Sequence, residues 1–162
     1  ILRSGRCAAL QSHTGSGKTM SYLLPLLTRA IQDDRDDETN SQPVRLLIVV
    51  PSRELAMQIV RAVEDLVGPE RKSVVQQTIG GANSKRQIEA LRRNSPLVVV
   101  GTPGRVAELS RAGSLKTHNT DMLVLDEVDE LQSDNMLEDL DRITQHTGKR
   151  LAHGRQTVIV SA

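Results

Sequence analysis

Apolar residues recur along the chain in two alternating patterns. The first pattern is a short continuous run rich in Val, Ile and Leu, which is typical of a strand buried on both faces of a sheet. The strand candidates are Cys7–Gln11, Val44–Val50, Val74–Ile79, Leu97–Gly101, Met122–Asp126 and Thr157–Ser161, and several of them are such continuous runs. These segments predict six strands.

The second pattern places apolar residues at the spacing of one helix face. It predicts helices over Lys18–Ile31, Arg53–Val67, Ser84–Arg93, Gly104–Arg111 and Ser133–Thr147. Ser52 is a suitable N-cap for the second helix, and Pro25 should bend the first because proline lacks a backbone donor. Strands that alternate with helices predict an α/β fold, in which a parallel sheet carries helices on both faces.

Composition narrows the functional classes. The chain has 162 residues, the size of one domain, and a net charge of +1, so any nucleic-acid contact must come from local basic clusters. No apolar run approaches the roughly 20 residues of a membrane span, and neither membrane binding nor oligomerisation is expected. The single cysteine, Cys7, suits an intracellular reducing compartment. The four histidines lack metal-ligand spacing and are interpreted as surface residues: His13, His118, His146 and His153.

Aromatic residues are nearly absent, since Tyr22 is the only one. Proteins that hold single-stranded bases by stacking need aromatic platforms. A nucleic-acid-binding function would therefore have to use the sugar-phosphate backbone. The charged segment Asp33–Gln42 has no apolar residue and is predicted to be a surface loop.

A glycine-rich segment lies between the first predicted strand and the first predicted helix. Its members are Ser12, His13, Thr14, Gly15, Ser16, Gly17, Lys18 and Thr19. Backbone N–H groups in such a loop surround phosphate oxygens, and the helix that follows adds its positive end. Lys18 would reach the β- and γ-phosphates, and the Thr19 hydroxyl would bind Mg²⁺. The strict P-loop pattern begins with Gly where this chain has Ser12, and the segment alone is also compatible with an ordinary surface loop.

Two acids follow the fifth predicted strand. A carboxylate at this end of a parallel strand, facing a P-loop, is where nucleotide enzymes hold their metal. Asp126 is the candidate for Mg²⁺, and Glu127 is the candidate to orient or deprotonate the attacking water. Two acids after a strand are by themselves more often a turn or a helix cap. Together with the glycine-rich segment they indicate nucleotide hydrolysis.

Three further segments each follow a predicted strand, so we expect them at one edge of the sheet. They are Pro51-Ser52-Arg53, Gly80-Gly81 and Thr102-Pro103-Gly104-Arg105. Small residues, helix N-termini and the arginine side chains suit a phosphate backbone, although each segment alone is more often a turn.

The next predicted helix carries a basic face. Its cations are Lys85, Arg86, Arg92 and Arg93. An RNA contact and an ordinary solvated face are equally good interpretations of these four residues.

These motifs, in this order, resemble those of the DEAD-box RNA helicases. Asp126-Glu127-Val128-Asp129 resembles motif II, with Val128 where the family has Ala, and residues 12–19 resemble motif I, which Ala usually opens. The remaining resemblances are Pro51–Gln58 to motif Ia, with Ser52 for Thr, Gly80-Gly81 to the GG motif, Thr102–Arg105 to motif Ib, and Ser161-Ala162 to the start of motif III.

The resemblance implies that residues 1–162 form the amino-terminal RecA-like P-loop NTPase domain of a helicase. It implies ATP and Mg²⁺ as ligands, RNA held through its backbone, and a hydrogen bond that couples Asp129 to the motif III residues Ser161 and Ala162. The adenine-reading Q motif and a second RecA-like domain with arginine fingers are expected outside these residues. A DNA-directed translocase and a nucleotide-dependent RNA clamp with little turnover remain as alternatives.

Overall fold

In the part of the chain that the structure describes, the core is one six-stranded sheet in which every pairing is parallel. The computed structural model describes residues 1–13, 15–33 and 44–162. The strands are β1 (Ala8–Gln11), β2 (Leu46–Val49), β3 (Val75–Thr78), β4 (Val98–Gly101), β5 (Met122–Leu125) and β6 (Gln156–Ser161). Their order across the sheet is β1-β6-β5-β2-β4-β3. All six predicted strands are confirmed.

Helices connect the strands. They are α1 (Lys18–Asp33), α2 (Arg53–Val67), α3 (Ser84–Asn94), α4 (Pro103–Arg111), α5 (Val128–Leu131) and α6 (Asp134–His146). Two 3₁₀ segments, Leu2–Ser4 and Pro69–Val74, complete the described elements. The five predicted helices are confirmed, whereas α5 was not predicted because a single turn shows no periodicity.

Two helices contain the local sequence signals noted above, the Ser52 cap and Pro25. Ser52 caps α2, since its hydroxyl accepts a hydrogen bond from the main-chain N–H of Leu55 at 3.2 Å. Helix α1 continues through Pro25 to Asp33. Asp33 therefore ends a helix, and the rest of the predicted acidic loop lies outside the described residues.

Two apolar layers enclose the sheet, one on each face. Successive residues of a strand point to opposite faces, so Leu46 and Ile48 join one layer with α1 and α2, while Leu47 and Val49 join the other with α4 and α6. This two-sided burial explains why the central strands β2, β4 and β5 are unbroken apolar runs. No helix in the described part of the chain is both long enough and apolar enough to span a membrane.

Candidate functional site

The glycine-rich segment forms the connection between β1 and α1 at the carboxyl edge of the sheet. Gly15, Ser16 and Gly17 are exposed, and Thr14 lies outside the described residues. The N–H of Ser16 donates to the carbonyl of His13 at 3.3 Å, and the helical ladder starts with Ser21 donating to Gly17 at 3.0 Å. The first turn of α1 thus opens directly onto an exposed loop, as a phosphate site requires.

Lys18 folds back over this loop. Its amine donates to the main-chain oxygen of Ser12, at the start of the segment. A carbonyl is a neutral acceptor, and a phosphate oxygen would form the stronger charge-assisted bond. The lysine charge is therefore held next to the loop that would carry the phosphates.

The last residues of β6 contact both halves of the site. The N–H of Ser12 donates to the carbonyl of Ser161 at 3.4 Å, which extends the pairing of β1 with β6. The Ser161 hydroxyl donates to a carboxylate oxygen of Asp129 at 3.2 Å, and the Gln11 amide donates to the carbonyl of Ala162 at 3.4 Å. The hydrogen bond expected between Asp129 and Ser161 is present.

Asp126 lies immediately after β5 and is only 4% exposed. Its Oδ2 accepts a hydrogen bond from the Tyr22 hydroxyl at 2.7 Å, and its Oδ1 accepts one from the main-chain N–H of Glu127 at 3.0 Å. Burial raises the pKa of the Asp126 carboxyl, and these two hydrogen bonds oppose that rise. Burial, followed by the Asp126 charge, raises the pKa of Tyr22 well above its ordinary value, so the phenol keeps its proton and donates.

Glu127 holds a backbone conformation that is uncommon for a residue other than glycine. Its φ of 53° and ψ of 52° are left-handed, and it caps the short helix α5. Conformations of this kind cluster at functional sites, although Ser95, at the end of α3, also has a positive φ of 42°. Partial burial raises the pKa of the Glu127 carboxyl, and the nearby carboxylates of Glu130, Asp126 and Asp129 add to the rise. A carboxylate with a raised pKa is a better general base for water.

The oxygen atoms at this site suit magnesium. Thr19 offers a hydroxyl and Asp126 a carboxylate, both of which are hard ligands. Within the described residues, no group of three or more His, Cys, Asp and Glu side chains could hold a metal by itself. Mg²⁺ is characteristically bound by one or two protein carboxylates together with substrate phosphates and water. The donors present therefore fit a metal that arrives with a nucleotide.

A second feature lies at the same edge, where the segments after β2, β3 and β4 meet in a groove of about 480 Å³. Its lining residues are Pro51, Arg53, Gly80, Thr102, Pro103, Gly104, Arg105, Glu108 and Met136. The Thr102 hydroxyl accepts a hydrogen bond from the N–H of Gly80 at 3.4 Å, which joins two of these segments. The structure thus brings together the three segments that the sequence predicted at one edge.

The exposed Arg53 lies across the two glycines. A Cβ atom built on Gly81 would collide with the Arg53 guanidinium. Gly81 also has a left-handed φ of 74°, which glycine adopts without strain. The absence of a side chain at Gly81 is what lets Arg53 pack over this loop.

Arg105, whose charge the sequence interpretation assigned to the phosphate surface, lines the groove but is largely buried. Its side chain is only 10% exposed, and its Nε lies 3.3 Å from a carboxylate oxygen of Glu108. Its Nη2 donates to the carbonyl of Ala82 at 3.2 Å. The guanidinium therefore braces the loop that contains Gly80 and Gly81, and Glu108 offsets part of its charge.

Tyr22 lies at the site, although the sequence identifies it only as the single aromatic residue. The structure buries it completely and places it against Asp126. One signal pointed there: Tyr22 follows Lys18 by four residues, so the two lie on the same face of α1.

Comparison with known proteins decides the family. A family model described as DEAD/DEAH box helicase matches residues 1–162. The chain belongs to the DEAD/DEAH box helicases. It is 50% identical to the mitochondrial DEAD-box ATP-dependent RNA helicase 47 of Arabidopsis thaliana, covering 98% of this chain and 32% of that protein. It is 49% identical to the DEAD-box ATP-dependent RNA helicase 47A of Oryza sativa subsp. japonica, covering 100% of this chain and 31% of that protein.

Solved structures of helicases share the fold. A hypothetical ATP-dependent RNA helicase from Sulfolobus tokodaii superposes with a TM-score of 0.81 at 26% identity, over 100% of this chain and 43% of that one. The DEAD-box helicase Mss116, in a structure with ssRNA and UDP-BeF, gives a TM-score of 0.86 at 26% identity, over 99% of this chain and 33% of that one. The predicted RecA-like fold is confirmed. This DEAD-box chain spans about a third of the length of the curated relatives named above.

Proposed function

We propose that residues 1–162 are the amino-terminal RecA-like half of a DEAD-box RNA helicase core. In the intact protein, this half binds ATP with Mg²⁺, binds the RNA backbone, and couples hydrolysis to local duplex unwinding or to remodelling of RNA–protein complexes. One observation carries the proposal: the two acids and the groove come from neighbouring strands. β5 pairs with β2, and the N–H of Asp126 donates to the carbonyl of Val49 at 3.0 Å, two residues before Pro51.

The nucleotide half of the mechanism uses the loop between β1 and α1. Its backbone N–H groups and Lys18 bind and orient the β- and γ-phosphates, as in other P-loop proteins. Glu127 holds the attacking water and accepts its proton, for which its raised pKa is suited. Thr19 and Asp126 would hold Mg²⁺, which supplies positive charge against the transferred phosphoryl group.

The RNA half uses the groove between the segments after β2, β3 and β4. Helices α2 and α4 both begin there, at Arg53 and Pro103. Apart from Leu55, whose N–H the Ser52 cap already binds, and Pro103, which has none, their first-turn N–H groups and the Arg53 guanidinium can bind phosphate oxygens. The only aromatic ring, Tyr22, is buried and cannot stack on a base. The groove therefore offers contacts to RNA phosphates and no exposed aromatic ring for the bases, so RNA should bind through its backbone with little dependence on sequence. The ssRNA named in the Mss116 structure supports RNA as the ligand.

The partner and the location belong to the same proposal. Because the chain spans about a third of its curated relatives, we assign the transition-state arginines and the closing surface to a second RecA-like domain. The free, exposed Cys7 suits a reducing intracellular compartment, and the name of the Arabidopsis relative supports a mitochondrial one.

The nucleotide assignment is tested by Lys18→Ala, with the exposed Lys116→Ala as the matched control. Loss of a charge-assisted hydrogen bond costs about 1.5–3 kcal/mol, so calorimetry should show ATP affinity in Mg²⁺ weakened by at least about tenfold. The control should bind like the wild type, and both variants should keep the wild-type circular dichroism spectrum. Unchanged ATP affinity in Lys18→Ala would remove the basis for a P-loop.

A further inference from the structure

The contact between Tyr22 and Asp126 is not part of the phosphate or groove chemistry described above. The ring of Tyr22 is fully buried among the apolar side chains on one face of the sheet, including Leu23 and Leu26. Its hydroxyl reaches Asp126 Oδ2 at 2.7 Å, over a sequence separation of 104 residues. A buried tyrosine hydroxyl needs a hydrogen-bond partner. Here the hydroxyl donates to Asp126, and it also lies within hydrogen-bonding reach of the Thr19 hydroxyl, the other candidate metal ligand.

The Asp126 carboxylate is held at both of its oxygens. Oδ1 accepts from the N–H of Glu127 and Oδ2 accepts from Tyr22, so two donors on different elements fix the plane of the group. Each carboxylate oxygen can accept more than one hydrogen bond, so both remain able to bind a metal-bound water. The backbone donor cannot be removed by substitution, whereas the tyrosine donor can.

We propose that Tyr22 is a positioning residue for Mg²⁺-dependent nucleotide binding: its hydroxyl fixes the Asp126 carboxylate in the orientation that the nucleotide-bound metal requires. Tyr22 contacts neither nucleotide nor metal in this role. The inference rests on the proposed function, because it assumes that Asp126 holds Mg²⁺ at the phosphate site.

The physical reason is preorganisation. A carboxylate already held in one plane loses less conformational freedom when the metal binds. Groups that orient metal ligands in other proteins contribute about 10–100-fold to metal affinity. Tyr22→Phe removes one oxygen and keeps the ring that fills the core, so it isolates the hydrogen bond from the packing.

Composition supplies an unusually direct probe of this bond. The chain has one Tyr, no Trp and no Phe, so its ultraviolet emission comes from Tyr22 alone. A carboxylate that accepts the phenol proton in the excited state quenches tyrosine emission. The emission of the unlabelled protein therefore reports on the Tyr22–Asp126 hydrogen bond without an introduced label.

The test measures ADP affinity by calorimetry, once with Mg²⁺ and once with EDTA, which avoids turnover. The wild type is compared with Tyr22→Phe and with Thr28→Ala, a control that removes an exposed hydroxyl from the same helix. In Tyr22→Phe, the ratio of the two affinities should fall by about tenfold while the affinity in EDTA is unchanged. Thr28→Ala should leave the ratio unchanged.

Two results would overturn the proposal. An unchanged ratio would show that the hydroxyl does not serve the metal. An equal loss of ADP affinity in Mg²⁺ and EDTA would show that Tyr22 serves only the structure. The proposed function fails in a different way, namely if the wild type binds no ADP under either condition.

A second measurement does not depend on the folding of Tyr22→Phe. Tyrosine emission of the otherwise native protein should rise in Asp126→Asn, because an amide does not accept the proton. It should also change when Mg²⁺ and ADP are added to the wild type but not when ADP is added in EDTA. Tyrosine emission that changes neither in Asp126→Asn nor on addition of Mg²⁺ and ADP would contradict the positioning role.

Discussion

At the scale of single residues, the site depends on contacts that remove freedom from charged side chains. Lys18 is held by Ser12, Asp126 by Tyr22 and the N–H of Glu127, and Arg105 by Ala82. Arg53 is placed differently, since it is exposed and packs over a residue that lacks a side chain. Its position therefore depends on Gly81 rather than on a hydrogen-bonding partner named above.

Gly81→Ala should displace Arg53 and weaken RNA binding. The substitution should also destabilise the fold by about 1–2 kcal/mol, because a residue with a Cβ is strained at a left-handed φ. Gly113→Ala is the matched control, because Gly113 has a φ of 67° but no neighbour within 4 Å of a built Cβ. Urea unfolding should show similar losses of stability for both variants.

Anisotropy with a labelled single-stranded RNA then separates the two variants. Only Gly81→Ala should lose affinity, because only that alanine collides with Arg53. Equal RNA affinity in the two variants would mean that the position of Arg53 does not matter for binding.

At the scale of elements, the close approach of β3 and β4 limits what the end of β4 can accommodate. Gly101 is buried, and a Cβ there would meet both the hydroxyl and the carbonyl oxygen of Thr78 and the side chain of Val106. Neither neighbour is the free end of a flexible side chain. The ends of these two strands carry the loops of the groove, so their spacing fixes the width of that surface.

Gly101→Ala should lower the free energy of unfolding by about 1–3 kcal/mol, the usual cost of forcing an extra carbon into a packed site. Gly104→Ala, three residues later in the first turn of α4, serves as the comparison. Its Cβ would meet only Asp139 Oδ2, at an ordinary 3.5 Å, so the helix should tolerate it. Urea denaturation of both variants decides the point, and equal stabilities would show that β3 and β4 can separate at no cost.

The hydrophobic pattern predicted the elements because it reports burial directly. Strands such as Leu46–Val49 are buried on both faces, and their sequences are accordingly unbroken apolar runs. The pattern carries no information about which strands are neighbours, so the order of the sheet was not predicted. The helix α5 was also missed, because its start depends on the left-handed conformation of Glu127 rather than on periodicity.

For the candidate site, the sequence likewise predicted which segments come together but not all of the contacts between them. Motif spacing placed Lys18, Asp126 and the three groove segments correctly at one edge, because parallel strands bring their carboxyl ends together. The inward path of Arg105 and the bond from Tyr22 to Asp126 depend on contacts over 23 and 104 residues. Local spacing signals part of each arrangement, through Lys18 and Tyr22 four residues apart and Arg105 and Glu108 three apart, but the partners at these long separations cannot be identified from it.

At the scale of the whole molecule, a net charge of +1 provides little general attraction for RNA. Under the proposed function, RNA binding must therefore come from a small number of phosphate contacts in the groove. Affinity should fall as salt rises and should be similar for unrelated single-stranded sequences, because phosphates are common to all of them.

Arg53→Ala should reduce the slope of log affinity against log salt by about 0.7, the value for one phosphate contact to a single strand. Arg150→Ala, at the amino edge of the sheet in the loop before β6, should leave the slope unchanged. The measurement is anisotropy over a range of salt concentrations with two unrelated RNA sequences. If Arg53→Ala leaves the slope unaltered, Arg53 does not contact an RNA phosphate.

The order of the strands in the sheet also limits the order in which they can pair while the chain is being synthesised. In the described structure β1 lies at an edge and pairs with β6 alone, while β5, β2, β4 and β3 are contiguous without either of them. A growing polypeptide emerges amino end first, so these four middle strands can associate before β6, the partner of β1, has been synthesised. β1, which precedes the Lys18 loop, is therefore synthesised first but joins the sheet only when it pairs with β6. Before that pairing, a nascent chain can form the strands that carry the groove, but the loop between β1 and α1 is not yet fixed to the sheet.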